Sequence, residues 1–171
     1  MRVGFTSVVF CLAVRFANAI PTGAEVLDNL IAATEKLDGT LENWNGGPFT
    51  LFPLGLQSQS LIQQVNTATT VFQGLGMRTE AADADVLKSG QQGAASIQHI
   101  LNTVIASRPK FEKVPLGIPI MFGVLKALQL PTNRMTATIL QGASPSSGQQ
   151  LQQLQDQIKQ LFVNAMNAFD E

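Results

Sequence analysis

The sequence predicts an all-α, single-domain bundle of five or six amphipathic helices. Apolar residues return at steps of three and four along most of the chain, and Gly/Pro clusters and capping residues punctuate that periodicity. No alternating segment of useful strand length occurs, nor any convincing internal repeat. Connections between the helices are short, as in up-and-down bundles.

Residues 1–19 stand apart from the bundle. Arg2 provides a positive start, Val8 to Val14 an apolar run, and Ala17-Asn18-Ala19 an A-x-A cleavage site, so a signal peptide is expected with Ile20 opening the mature chain. The apolar run falls short of the roughly 20 residues of a spanning helix. Cys11, the only cysteine, lies in this segment. A chain bound for an oxidising compartment would therefore fold by packing alone, without a disulfide.

The first helix is expected from Gly23 to about Trp44. Thr22 and Glu25 have capping-box spacing, and Leu27, Leu30, Ile31, Thr34, Leu37 and Leu41 form the stripe. A second, marked by Ser58, Leu61, Ile62, Val65, Thr69 and Phe72, is expected over about Gln57–Phe72, closed by Gly74 and Gly76. The longest lies between Thr79 and Ser107, with Val86, Gly90, Gly93, Ile97, Ile100 and Val104 along its seam and Arg108-Pro109 as its stop. Ile120, Met121, Val124, Leu125 and Leu128 mark a further helix that Pro131 should break, with Thr132 capping a shorter one through Leu140. Gly142 to Gly148 reads as a turn. Ser146 with Gln149, or Ser147 with Gln150, then has capping-box spacing for a last helix carrying Leu151, Leu154, Ile158, Leu161, Phe162, Ala165, Met166 and Phe169.

The 152 residues from Ile20 to Glu171 suit one domain that buries about two-thirds of its unfolded surface. Without Arg2 and Arg15, nine basic residues face twelve acidic ones, for a net charge of −3 and no basic block. Nucleic acid is an unsuitable partner. Catalysis is equally poorly provided for, with one histidine and no tyrosine in the chain and no thiol after residue 19. His99 by itself makes neither a triad nor a metal site and reads as a boundary residue. Asp83 and Asp85 sit in the first turns of the long helix, where negative charge suits the macrodipole. No catalytic residue, metal ligand or cofactor is assigned.

The apolar positions are more suggestive. Gly90 and Gly93 occupy a helix interior at a cost of about 1 kcal/mol each in propensity; they mark either close approach of a neighbouring helix or room for an acyl chain. Thr34 and Thr69 interrupt apolar stripes, where each hydroxyl either bonds the carbonyl four residues back or orients a ligand's head. A candidate cavity lining comprises Thr34, Val65, Thr69, Phe72, Gly90, Gly93, Ile97, Val104, Leu125, Ile158 and Phe162. Two stretches read as unusually apolar loops, residues 48–54 and 114–122. Phe49, Leu51, Phe52, Leu116 and Ile118 in them are candidates for contact with a hydrophobic surface, the alternative being that the loops cap the core.

Several of these features together resemble the fungal hydrophobic surface-binding protein A and cell-wall galactomannoprotein family. They are the leader, the cysteine-free helical domain, Ala82-Asp83-Ala84-Asp85 before the Val86/Ile97/Leu101/Val104 helix, Pro109-Lys110-Phe111, and the Leu151/Ile158/Phe162/Phe169 helix. The resemblance covers nearly the whole mature chain. It implies secretion, a helical bundle, and binding to hydrophobic surfaces or to fatty acids in a central cavity. It also implies wall association for some members and recruitment of secreted hydrolases for others. A Ser/Thr-rich tail and a lipid-anchor signal are missing here, so any wall association is expected without such an anchor. The leading expectation is a secreted non-enzymatic protein that binds lipid or a hydrophobic solid; the alternative is a secreted effector or wall-associated adaptor that binds another protein. Burial of a sixteen-carbon chain would contribute on the order of 10 kcal/mol before ordering costs.

Overall fold

The structure is a computed structural model, and it describes residues 21–47 and 51–170. Among them are six helices: α1 (Gly23–Glu42), α2 (Leu51–Leu75), α3 (Glu80–Ala106), the single-turn α4 (Arg108–Glu112), α5 (Gly117–Gln141) and α6 (Gly148–Asn167). The expected leader, residues 1–19, lies outside the described residues.

Local chemistry explains most of the boundaries. The Thr22/Glu25 capping box forms in full, with Thr22 N donating to Glu25 Oε2 at 2.8 Å and Glu25 N to Thr22 Oγ1 at 3.2 Å. Thr79 caps α3 by accepting from Ala82 N. Gly76, at φ 61°, supplies the left-handed turn after α2.

Four expectations need correction. α2 starts at Leu51 and not near Gln57, because Pro53 falls in the first turn, where its missing N–H costs no internal hydrogen bond. α5 likewise starts at Gly117, with Pro119 in its first turn, so most of the two apolar stretches is helical. Pro131 does not divide α5. The helix passes through it to Gln141, since Leu128, Pro131, Thr132, Met135 and Ile139 bury one continuous face that offsets the lost backbone bond, and Thr132 Oγ1 returns to Leu128 O instead of capping. Ser147 stands at the N-cap of α6 without a side-chain cap bond; its hydroxyl joins that of Ser144, while Ser146 reaches Glu80.

Tertiary packing gives the five long helices a closed order. α1 packs on α3, α3 on α6, α6 on α5, α5 on α2, and α2 on α1, with no long helix touching a third among the described residues. The chain reverses at every connection, the one through α4 included, so α2 and α5 run parallel as neighbours. At the usual 8–10 Å spacing, a five-membered ring puts the helix axes about 7–8 Å from its centre, against about 6–7 Å for four helices. Side chains complete a helix only to a radius of about 5–6 Å, so the ring's own geometry leaves its middle underfilled.

The two ends are closed differently. At one, Trp44 and Phe111 stack at 4.3 Å between ring centres, Phe169 meets Phe111 edge-on at 5.9 Å, and Lys110 Nζ donates to Trp44 O. Phe111 is fully buried there, and Gly117 must be glycine, because a Cβ would collide with the backbone carbonyl oxygen of Phe111. At the other end, a buried ion pair joins Arg78 Nε to Asp83 Oδ1 at 2.6 Å.

Candidate functional site

A cavity of about 120 Å³ runs along the middle of the ring and is lined by all five long helices. That space would hold several waters, yet its walls are overwhelmingly Leu, Ile, Val, Met and Phe, the composition that keeps a void dry and receptive to an apolar guest. Nine of the sequence-derived candidates meet on it: Thr34, Val65, Gly90, Gly93, Ile97, Val104, Leu125, Ile158 and Phe162. Thr69 and Phe72 do not. Thr69 is buried and bonds Val65 O at 2.8 Å. Phe72 belongs to the end wall, against Gly23 and Val86 and beneath the Arg78 guanidinium.

The two glycines of α3 serve the cavity unequally. A Cβ on Gly90 would lie 2.7 Å from Leu154 Cδ2, so Gly90 admits a side chain of α6. On Gly93 the nearest atom would be Ile31 Cγ1, at an ordinary 3.7 Å, so that position simply leaves the wall recessed.

Polar atoms on the lining are hydroxyls, and most are already used. Thr34, Ser58 and Thr132 bond the carbonyls of Leu30, Leu54 and Leu128 at 2.8–2.9 Å, and Thr136 accepts from Gln155 Nε2. Ser89 differs. It is buried on the cavity wall beside Gly90, and among the described residues its hydroxyl has no hydrogen-bond partner. Sequence reading passed over Ser89 because it falls one residue off the Val86–Gly90–Gly93 seam, and only the closed ring turns it inward.

The end wall holds a second feature that sequence could not reveal. Asp83 is completely buried and accepts from Arg78 Nε and from Ser144 N, while Arg78 Nη2 reaches Ile139 O. Burial alone would raise the Asp83 pKa, but hydrogen bonds from Ser144 and the Arg78 charge outweigh it and hold the carboxyl below its usual 3.8. This arrangement ties the starts of α3 and α6 to the end of α5 and offers no reacting group to the cavity.

Of the surface-contact candidates, Phe52 and Leu116 are 70% and 72% exposed, whereas Leu51 and Ile118 are half-buried against the core. Phe49 lies outside the described residues. Leu56 and Ile120, one turn on from Phe52 and Leu116, are also exposed. All four stand at the starts of the parallel neighbours α2 and α5, so the apolar surface is a helix-end feature and not a pair of loops. Leu116 has φ 62°, a left-handed conformation costly for leucine.

His99 is exposed, not a boundary residue, and its Nδ1 lies 2.6 Å from Asp38 Oδ2. Among the described residues no helix is long and apolar enough to cross a membrane.

An apolar cavity enclosed by a helical ring is the setting in which the sequence family becomes decisive: the profile of hydrophobic surface binding protein A matches residues 20–161. The chain belongs to that family. Among solved structures, this member of the hydrophobic surface binding protein A family is similar to Afmp4p in complex with palmitic acid, at a TM-score of 0.83 and 16% identity over 88% of this chain and 99% of that one. It is also similar to ligand binding domain 1 of the Penicillium marneffei MP1 protein complexed with arachidonic acids, with a TM-score of 0.76, 15% identity, and coverage of 85% and 94%. Domain 2 of the same protein, again with arachidonic acids, gives 0.78, 14%, 85% and 90%. At such identities the likeness establishes a shared fold. No curated protein matches the chain in sequence.

Proposed function

We propose that this protein is a secreted, non-enzymatic binder of long-chain fatty acids or similar lipids, which it holds in the central cavity. The observation that carries this reading is the continuous apolar cavity at the centre of a five-helix ring. Fatty-acid complexes of similarly folded proteins support it. In this reading the nine candidates on the lining contact the acyl chain, and Ser89, with its unused hydroxyl, receives the polar head. Binding energy comes from apolar area, at about 0.8 kcal/mol per buried methylene. Secretion rests on the leader-like residues 1–19 and is supported by a family match that begins at residue 20.

Native mass spectrometry of the secreted protein, with organic extraction of what copurifies, tests this directly. A mass increment that extraction resolves into a fatty acid is the expected result. A delipidated protein that fails to take up palmitic or arachidonic acid would overturn it.

A second reading concerns adsorption, and a specific observation favours it. Phe52, Leu56, Leu116 and Ile120 expose apolar side chains at one end of the bundle, and Leu116 does so in a strained conformation. This end would meet a hydrophobic solid while the cavity binds lipid.

A further inference from the structure

The structure assigns a divalent-metal site to the outer face of the α1–α3 wall, made by Asp38, Glu42 and His99. Asp38 and Glu42 stand four residues apart on α1 and so share one face of it. α3 packs along α1 and brings His99 to that face. One ligand atom from each of the three side chains lies within 4.8 Å of the other two.

A second observation points to a cation. The Asp38 side chain is only 14% exposed, and its Oδ1 is buried with no hydrogen-bond partner, although Oδ2 meets His99. A buried carboxylate oxygen without a partner is costly, and a metal ion on that carboxylate would satisfy it. Without one, Asp38 and Glu42 also repel each other as like charges one turn apart.

The donor set selects the class of metal. Calcium and magnesium take oxygen shells, whereas an imidazole with two carboxylates suits zinc and its first-row neighbours. Zinc bonds of 2.0–2.2 Å place tetrahedral ligand atoms about 3.4 Å apart. The 2.6 Å His99–Asp38 contact must therefore open by under about 1 Å, which a 63% exposed imidazole can do by a small side-chain rotation. Water completes the coordination. Leu37, Leu41, Ile97 and Leu101, from the same turns, line the cavity on the inner side, so the ion would clip that wall from outside without entering the lipid space.

The chain has one histidine, which makes the test unambiguous. Tag-free protein stripped with chelator is titrated with zinc chloride by calorimetry, and the single imidazole is followed by ¹⁵N NMR. One equivalent should bind and shift the imidazole nitrogens, and the melting temperature should rise with zinc. His99→Gln and Glu42→Gln should each weaken binding at least about tenfold with the helical circular dichroism unchanged. No binding at about millimolar zinc, binding that leaves the imidazole unshifted, or undiminished affinity in folded His99→Gln would each overturn the assignment. So would displacement of zinc by an equal concentration of calcium. Were a variant to misfold, the wild-type imidazole spectrum still decides.

Discussion

Leu154 Cδ2 of α6 occupies the place where a side chain on Gly90 of α3 would begin, 2.7 Å from the missing Cβ. Three residues on, Gly93 has no such intruder. The two substitutions to alanine should therefore part company. Gly93→Ala should stabilise the protein by about 0.5–1 kcal/mol through helix propensity, whereas Gly90→Ala should forfeit that gain to displacement of Leu154. Denaturant midpoints of the two variants check this. Gly93→Leu should project into the cavity and lower fatty-acid affinity at least about tenfold in a protein that remains folded. Unchanged affinity in folded Gly93→Leu would remove the ligand from this seam.

Ser89 offers the one cavity hydroxyl without an internal partner among the described residues. A hydrogen bond to a carboxylate is worth about 1.5–3 kcal/mol, so Ser89→Ala should weaken fatty-acid binding by about tenfold or more. The corresponding loss for an apolar alkane should be small. Equal losses for acid and alkane would assign Ser89 to packing and not to the head group.

The acid stability of the fold should depend on Asp83. Its carboxyl titrates lower in the folded protein than in the unfolded chain, so its contribution is present above the unfolded value near 4 and disappears as pH falls through the lowered folded value. Asp83→Asn leaves Arg78 buried without its counter-charge, at a cost of about 3–5 kcal/mol near neutral pH. Urea midpoints from pH 7 down to pH 2 should show the gap between wild type and variant narrowing below about pH 4. A gap constant across that range would deny the pair its electrostatic role.

Adsorption should follow the exposed helix ends. Phe52→Ser, at a 70% exposed position, should change stability by no more than about 0.5 kcal/mol while reducing binding to a hydrophobic solid. Leu116→Gly should relieve the left-handed leucine, raise stability by up to about 1 kcal/mol, and also reduce adsorption. A quartz-crystal microbalance with an alkyl-coated sensor measures the effect. Full adsorption by the folded double variant would exclude this end as the contact face.

The sequence by itself determined the helices whose information is local. Thr22 with Glu25, the stripe from Leu27 to Leu41, the Thr79 cap and the periodicity of Leu151 to Phe162 specify α1, α3 and α6, because capping and amphipathic spacing act within a few residues. It also brought nine lining residues into view, since a cavity in a helical ring is bordered by inward-facing positions. Tertiary structure decided what depends on partners far along the chain. Pro131 stays inside α5 because burial of its face outweighs a lost hydrogen bond, and local propensity contains no account of that burial. Thr69 and Phe72 share a stripe with Val65, yet only the ring's closure puts Val65 on the cavity and the other two off its lining. Arg78 pairs with Asp83 and is anchored by Ile139, 61 residues away, and His99 meets Asp38 across the same separation. Such meetings are set by which helices become neighbours, a property of the packed ring that periodicity along one helix does not encode.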